Sequence, residues 1–189
     1  MEVLSELCLS FRKMVTEINA RPWTTVSSPA FVWATFFLAI VAWFANSGDR
    51  WIPVLDAANL MFHEAGHPIF GIFSERLEIY GGSLGQLFFP TATAIYFWKQ
   101  RHAVSFFICI VWIIQNFWNI ARYMADARAQ LLPLVGNGDR LHDWAEIFGR
   151  WKTLPMDTHV AAKLSAFACV GAVFAWVWLL MQWRNRNLN

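Results

Sequence analysis

Long apolar runs alternate with short polar breaks along this chain of 189 residues. Four runs, at about 30–46, 84–98, 103–125 and 160–183, approach or exceed the length with which a helix crosses a bilayer. The breaks between them contain Gly, Asp, Lys or Arg, which are typical of the ends of such helices. The pattern therefore predicts an all-α membrane protein with about four transmembrane helices in a single domain, 30–183.

Residues 1–29 have a helical periodicity instead of a continuous apolar run. Apolar side chains recur at intervals of three and four residues, and charged side chains lie on the other faces. We expect an amphipathic helix that lies in the membrane interface and ends near Arg21-Pro22. At the other end of the chain, residues 184–189 form a basic tail. The apolar positions of the N-terminal helix are Val3, Leu4, Leu7, Phe11, Met14, Val15 and Ile18.

The stretch from 53 to 73 predicts a helix of a different kind. Pro53 suits a first helical turn, and polar side chains then recur on one side of an otherwise apolar helix. Such a helix is expected to be membrane-embedded or re-entrant. After it, residues 74–82 alternate polar and apolar and end in a glycine pair, which indicates a possible short strand, with a connecting loop as the favoured alternative. The polar positions are Asp56, Asn59, His63, Glu64 and His67.

Lysine and arginine are concentrated in the N-terminal segment, in the turn at 99–101 and in the tail at 184–186. If all three lie on the inside, the positive-inside rule is satisfied, four runs cross, and the helix at 53–73 does not. Residues 127–158 then face outward with that helix. A five-span alternative places the short basic turn outside and leaves the side of the site open.

Composition agrees with a membrane location. The chain is 57% hydrophobic and only 15% charged, with a mean hydropathy of +0.38, which is high for a soluble domain of this size. Twelve tryptophans, many near the ends of apolar runs, suit the headgroup region. We expect a multi-pass integral protein of a bacterial inner membrane, with the lipid bilayer as a partner. A net charge of +2 without a basic patch predicts no nucleic-acid partner.

The strongest chemical signal is the segment His63-Glu64-Ala65-Gly66-His67. Two histidines four residues apart project from one face of a helix and suit a single divalent ion. The carboxylate of Glu64 follows the first histidine and is placed to act as a general base towards water without binding the metal. The motif predicts a zinc site with His63 and His67 as ligands and a hydrolytic reaction. Cys8, Cys109 and Cys169 are too far apart to indicate a disulfide framework or a cysteine zinc site.

This motif in a small multi-span protein resembles the site-2 protease family of membrane zinc metalloproteases. The resemblance implies that His63 and His67 bind zinc, that Glu64 activates water, and that an aspartate from a later membrane helix is the third ligand. Asp126 is the closest match, at the end of a polar stripe on a later span. Its neighbours, Ala125-Asp126-Ala127-Arg128, depart from the family's Asp-Gly pattern, so His142 or Asp143 is the alternative. The stripe consists of Gln115, Asn119, Arg122, Tyr123 and Asp126.

We therefore expect a zinc-dependent metallopeptidase that cleaves a membrane protein or peptide substrate, in an oligomeric state that the sequence does not define. The alternative is a non-catalytic membrane protein with a structural metal site, or a degenerate protease relative that binds a partner. A lipid-directed hydrolase is a third reading. Structural zinc sites have four protein ligands, whereas a catalytic site keeps one position open. Coordination therefore discriminates between the enzyme and the structural site.

Overall fold

The computed structural model describes residues 2–47, 51–133 and 142–185, and within these residues the chain is helical without strands. Seven α-helices and one 3₁₀ turn follow one another in chain order. They are α1 (Glu2–Ala20), α2 (Ser28–Asn46), α3 (Pro53–Gly71), α4 (Glu75–Lys99), α5 (Ala103–Ala125), α6 (Asp143–Arg150), the 3₁₀ turn Leu154–Met156, and α7 (Asp157–Asn185).

Three helices are long and apolar enough to cross a membrane: Ser28–Asn46, Ala103–Ala125 and the combined segment Leu154–Asn185. The predicted run at 84–98 is instead the second half of α4, whose first half contains Glu75, Arg76 and Glu78. The polar first half and the small residues that follow lower the hydropathy of this helix. Across residues 2–47, 51–133 and 142–185 the protein is thus all-α, with three apolar helices of membrane-spanning length.

The predicted strand at 74–82 is wrong. Ser74 caps α4, and its side chain accepts a hydrogen bond from the backbone N–H of Leu77 at 3.2 Å. The helix then continues through Gly81 and Gly82 instead of turning there. The pair lies in a helix–helix contact, where a side chain would not fit, so the glycines reflect packing instead of a turn.

Helices α3 and α4 approach each other closely through glycines. A Cβ atom added to Gly66 would overlap the backbone of Gly81, and one added to Gly85 would overlap the carbonyl of Phe62. Gly81 and Gly85 are four residues apart and so lie on the same face of α4. This contact sets α3, with its two histidines, directly against the first half of α4.

The main apolar core lies between α2, α5 and α7. Val41, Phe107 and Leu179 are fully buried there. The buried face of α7 is mostly alanine, and small side chains let two helices approach closely and pack well. The alanines are Ala161, Ala168, Ala172 and Ala175.

The N-terminal segment, the α4–α5 turn and the end of α7 meet at one end of the helices. The guanidinium of Arg101, in the α4–α5 turn, donates to the backbone oxygen of Arg21, and Arg21 donates to that of Lys99. Trp183 near the end of α7 donates to Ser28 at the start of α2 at 3.4 Å. The histidines of α3 contact the opposite end of α5, near Tyr123.

Candidate metal centre

Three potential ligand atoms converge between α3 and α6. The Nε2 atoms of His63 and His67 lie 2.9 and 3.3 Å from the same oxygen, Oδ2 of Asp143. One ligand atom from each residue lies within 4.8 Å of the other two, and no other such group of His, Cys, Asp or Glu occurs in the described part of the chain. The paired histidines come from one turn of α3, and the carboxylate comes from the first residue of α6.

Each imidazole is held through its Nδ1 atom. His63 Nδ1 lies 3.0 Å from Gln86 Oε1, and His67 Nδ1 lies 2.8 Å from the backbone oxygen of Glu78. Because an oxygen faces Nδ1, the proton of the neutral imidazole lies on Nδ1 and the ring lone pair lies on Nε2. Most metal-binding histidines have this arrangement. Both Nε2 lone pairs therefore face the carboxylate of Asp143.

This arrangement needs a positive charge at its centre. Two lone pairs that face a carboxylate oxygen repel it unless a proton or a cation lies between them. Burial alone raises the pKa of Asp143, but when the imidazoles of His63 and His67 carry a proton on Nε2, their hydrogen bonds outweigh burial and hold that pKa below the usual value. The carboxylate is thus kept ionised next to the imidazoles. Two nitrogen donors and one carboxylate oxygen are a donor set that fits zinc.

Asp126, the third ligand predicted from the sequence, does not belong to this group. Its two carboxylate oxygens accept hydrogen bonds from the backbone N–H groups of Leu131 and Leu132 at 2.9 and 3.0 Å. Its Oδ2 also lies 3.4 Å from Nε2 of His142. Of the two alternatives for this position, the structure brings Asp143 to the histidines and leaves His142 with Asp126.

His142 stabilises the first turn of α6. Its Nδ1 accepts a hydrogen bond from the backbone N–H of Ala145 at 3.3 Å, which caps the helix. Its ring packs on Tyr123, with the two centroids 4.1 Å apart. The hydroxyl of Tyr123 in turn accepts the backbone N–H of Asp143 at 3.2 Å. The position of Asp143 is therefore fixed by two neighbours that do not join the group of ligand atoms.

A buried polar network extends from the histidines along α5. Gln86 donates to Asn119 at 3.4 Å, and Asn119 donates to Asp56 at 2.8 Å. Asp56 is 1% exposed and also accepts hydrogen bonds from Gln115 and from the backbone of Ile52. These bonds satisfy polar groups that would be costly to bury alone.

The network lines a cavity of about 270 Å³ that reaches His63 and Glu64. The walls combine polar groups of α3, α4 and α5 with apolar side chains such as Leu60 and Leu132. Of the His–His–Asp group, His63 lines this cavity, so water or a substrate can approach its imidazole. Its lining residues are Trp51, Asp56, Leu60, His63, Glu64, Gln86, Asn119, Arg122, Tyr123, Leu132 and Pro133.

Sequence reasoning found part of this site. Gln115, Asn119 and Tyr123 of the polar stripe do face α3 or α6. It missed Gln86 and the carbonyl of Glu78, which both lie on α4. The sequence pattern of 74–82, which contains Glu78, indicates a strand or a loop instead of this helix. The signal for Gln86 was an amide within an apolar run, which is costly at membrane depth unless it has a partner.

Comparison of the chain with protein-family models, with curated proteins and with solved structures finds no match.

Proposed function

We propose that this protein is a zinc-dependent metallopeptidase embedded in a membrane. The observation that carries the proposal is that His63 and His67, fixed through Nδ1, both direct Nε2 at one oxygen of Asp143, and that His63 also lines a cavity. Three protein ligands and one open side are the pattern of catalytic zinc sites. The resemblance of the motif to the site-2 protease family supports the same reading.

The three ligands would be His63, His67 and Asp143. Zinc supplies a lowered pKa for water and polarises a carbonyl oxygen. Glu64 lines the cavity next to His63, and its carboxylate would take a proton from an attacking water and deliver it to the leaving amine. Gln86 and the carbonyl of Glu78 keep the two imidazoles in the tautomer that binds metal.

We infer that the substrate is a polypeptide in or near the membrane. The site lies among helices rich in exposed apolar side chains, such as Met61, Ile69 and Phe73 around the motif. The four-span topology of a bacterial inner-membrane protein, with α3 embedded or re-entrant, would enclose the site at membrane depth. A peptide bond of a membrane protein is the substrate that reaches such a location.

The first test is the substitution Glu64→Gln. We expect the variant to bind one zinc per chain like the unchanged protein, because Glu64 is not a ligand. We expect its turnover to fall by about 10²–10⁴-fold, the usual contribution of a general base. The measurement is metal analysis together with mass-spectrometric detection of new peptide N-termini, after zinc-loaded protein is incubated with membrane polypeptides in liposomes.

The chelator-treated protein and His63→Ala serve as controls, and both should lose zinc and cleavage together. Cleavage by Glu64→Gln at the original rate would reject the assignment of the base. One zinc per chain with no cleavage by the unchanged protein, across varied membrane polypeptides, would favour the non-catalytic alternative.

Coordination also bears on that alternative. A structural zinc site needs a fourth protein ligand, and the sequence offered His142 and Asp126 for this role. Nε2 of His142 faces Asp126 instead, and both carboxylate oxygens of Asp126 bind backbone N–H groups. Three converging ligand atoms, with a cavity beside His63, favour the enzyme.

A further inference from the structure

The basic end of the protein contains a cleft that the proposed peptidase function does not use. This cleft has a volume of about 430 Å³ and lies where the α1–α2 linker, the α4–α5 turn and the end of α7 meet. It is lined mainly by cationic, amide and hydroxyl side chains. The lining residues used below are Asn19, Arg21, Trp23, Thr24, Thr25 and Arg101.

Arg101 is the most unusual residue of this end. Its side chain is buried, with the whole residue only 8% exposed, and its backbone φ of 55° lies in the left-handed region. The guanidinium donates to the backbone oxygens of Arg21 and Asn19 and lies 4.4 Å from the ring centroid of Trp23. Within the described residues, no carboxylate forms an ion pair with it. A buried cation without a counter-charge is costly.

A second cleft adjoins the first and shares Arg21 with it. This cleft has a volume of about 540 Å³ and is also lined by Lys99, Gln100 and Glu17. Arg21 is exposed, and its guanidinium donates one N–H to the backbone oxygen of Lys99 at 3.1 Å. The other N–H groups of the guanidinium can donate to a ligand. Three cations, Arg21, Lys99 and Arg101, thus surround the two clefts, with Glu17 as the one acidic residue in their linings.

The position of the clefts indicates what kind of anion reaches them. They lie at the ends of all three apolar helices of membrane-spanning length, beside Ser28, Ala103 and Asn185. Trp23 packs on Trp178 with ring centroids 5.0 Å apart, and Trp183 stacks on Phe31 at 4.8 Å. Indole rings at helix ends are typical of the headgroup region of a bilayer.

We propose that this end binds the phosphate of an anionic phospholipid headgroup between Arg21 and Lys99, with Arg101 as the buried charge behind it. Arginine and lysine together offer the donors that a phosphate accepts. The acyl chains would continue along the apolar surface of the neighbouring helices. The lipid would supply the counter-charge that the described residues do not provide, and would hold α1 and the α4–α5 turn together.

The test measures lipid binding to the full chain in neutral detergent by native mass spectrometry. Phosphatidylglycerol should bind more tightly than phosphatidylcholine of the same acyl composition. Arg21→Gln and Lys99→Gln should each weaken phosphatidylglycerol binding by about five-fold, as expected for one charge near an anionic lipid surface, and the double variant by about twenty-five-fold. Arg101 is not substituted, because its backbone and side-chain contacts hold the turn together.

Arg12→Gln is the matched control, since Arg12 is an exposed residue of α1 that lines neither cleft, and it should bind phosphatidylglycerol like the unchanged protein. A melting curve for each variant separates weaker binding from loss of the fold. Equal binding of the two lipids, or unchanged binding by the double variant, would overturn the proposal. Inorganic phosphate that displaces the lipid completely and stabilises the protein as much would also overturn it, in favour of a soluble anion. None of these outcomes depends on zinc or peptidase activity.

Discussion

The two histidines could be paired from their spacing, but the orientation of their rings could not. A separation of four residues on a helix is a local property, so it was visible in the sequence. The acceptors at Nδ1 are Gln86 and the backbone oxygen of Glu78, 23 and 11 residues further along the chain. They depend on how α4 packs on α3, which no local pattern specifies.

The third residue of the His–His–Asp group was the harder one to predict. Asp126 ends the polar face of α5 and so looked like a ligand, yet its oxygens are used to cap the backbone of the chain that follows. Asp143 lies 80 residues from His63 and reaches it only because α6 folds back over the end of α5. The signal for Asp143 in the sequence is weak, because Asp143 is one acidic residue in the first turn of a short helix.

We predict that substitution of these two aspartates weakens zinc binding to very different extents. Asp143→Asn removes the charge that faces both Nε2 atoms, and we expect it to weaken zinc binding by more than about 100-fold, beyond the roughly 10–100-fold typical of outer-shell changes. Asp126→Asn keeps one oxygen acceptor and should weaken binding by less than about 10-fold. Competition with a fluorescent zinc chelator measures both values. The reverse order would make Asp126 the third ligand.

At the scale of helices, the contact between α3 and α4 decides whether the site forms. The motif supplies Gly66, and α4 supplies Gly81, Gly82 and Gly85. The sequence pattern of 74–82 alternates polar and apolar residues and ends in a glycine pair, which indicates a connecting loop or a short strand and does not indicate a helix. The need to bring two helix backbones close explains the same glycines, and the cap at Ser74 starts the helix before them.

Gly82→Ala tests this contact at the metal site. A Cβ atom at Gly82 would overlap the imidazole of His63, so the ring must move away from Asp143 or α4 must shift. We expect a loss of zinc affinity and a destabilisation of about 1–3 kcal/mol, as for other overpacked sites. Zinc titration and thermal unfolding in detergent measure the two effects.

Gly149→Ala is the matched control for this prediction. Gly149 lies in α6, and a Cβ atom added there meets no other atom within 4 Å. Alanine should stabilise this helix by up to about 1 kcal/mol and leave zinc binding unchanged. If Gly82→Ala behaved like Gly149→Ala, the close packing of α4 on His63 would be refuted.

At the scale of the whole molecule, hydropathy identifies the helices that are apolar along their length. It does not identify α4, which contributes side chains to the candidate site. Helices α2, α5 and α7 pack mainly through apolar side chains, so the high hydropathy of their sequences identifies them as possible membrane spans. The 25-residue α4 is of comparable length, but it contributes Gly81, Gly85 and Gln86 to the contact with α3 and to the candidate metal centre. Those residues lower its hydropathy, so a helix specialised for the site scores poorly as a membrane span.

The ends of α5 allow a prediction about sidedness. The basic turn precedes its first residue, Ala103, and Tyr123 beside the metal centre lies near its last. Twenty residues of helix separate these two positions by about 30 Å, close to the thickness of the hydrocarbon core. If the basic end faces the inside, as the positive-inside rule favours, the metal centre lies towards the outer face.

Cysteine labelling tests this arrangement. Gln100→Cys in the basic turn and Ala129→Cys beyond α5 both occupy exposed positions, and the background carries Cys8→Ser and Cys169→Ser because both of these cysteines are exposed. In intact cells, a membrane-impermeant maleimide should label Ala129→Cys and should reach Gln100→Cys only after permeabilisation. The background protein without an added cysteine controls for labelling of the buried Cys109. Labelling of Gln100→Cys alone from outside would favour the five-span topology, with the metal centre inside, and labelling of both from one side would show that α5 does not cross.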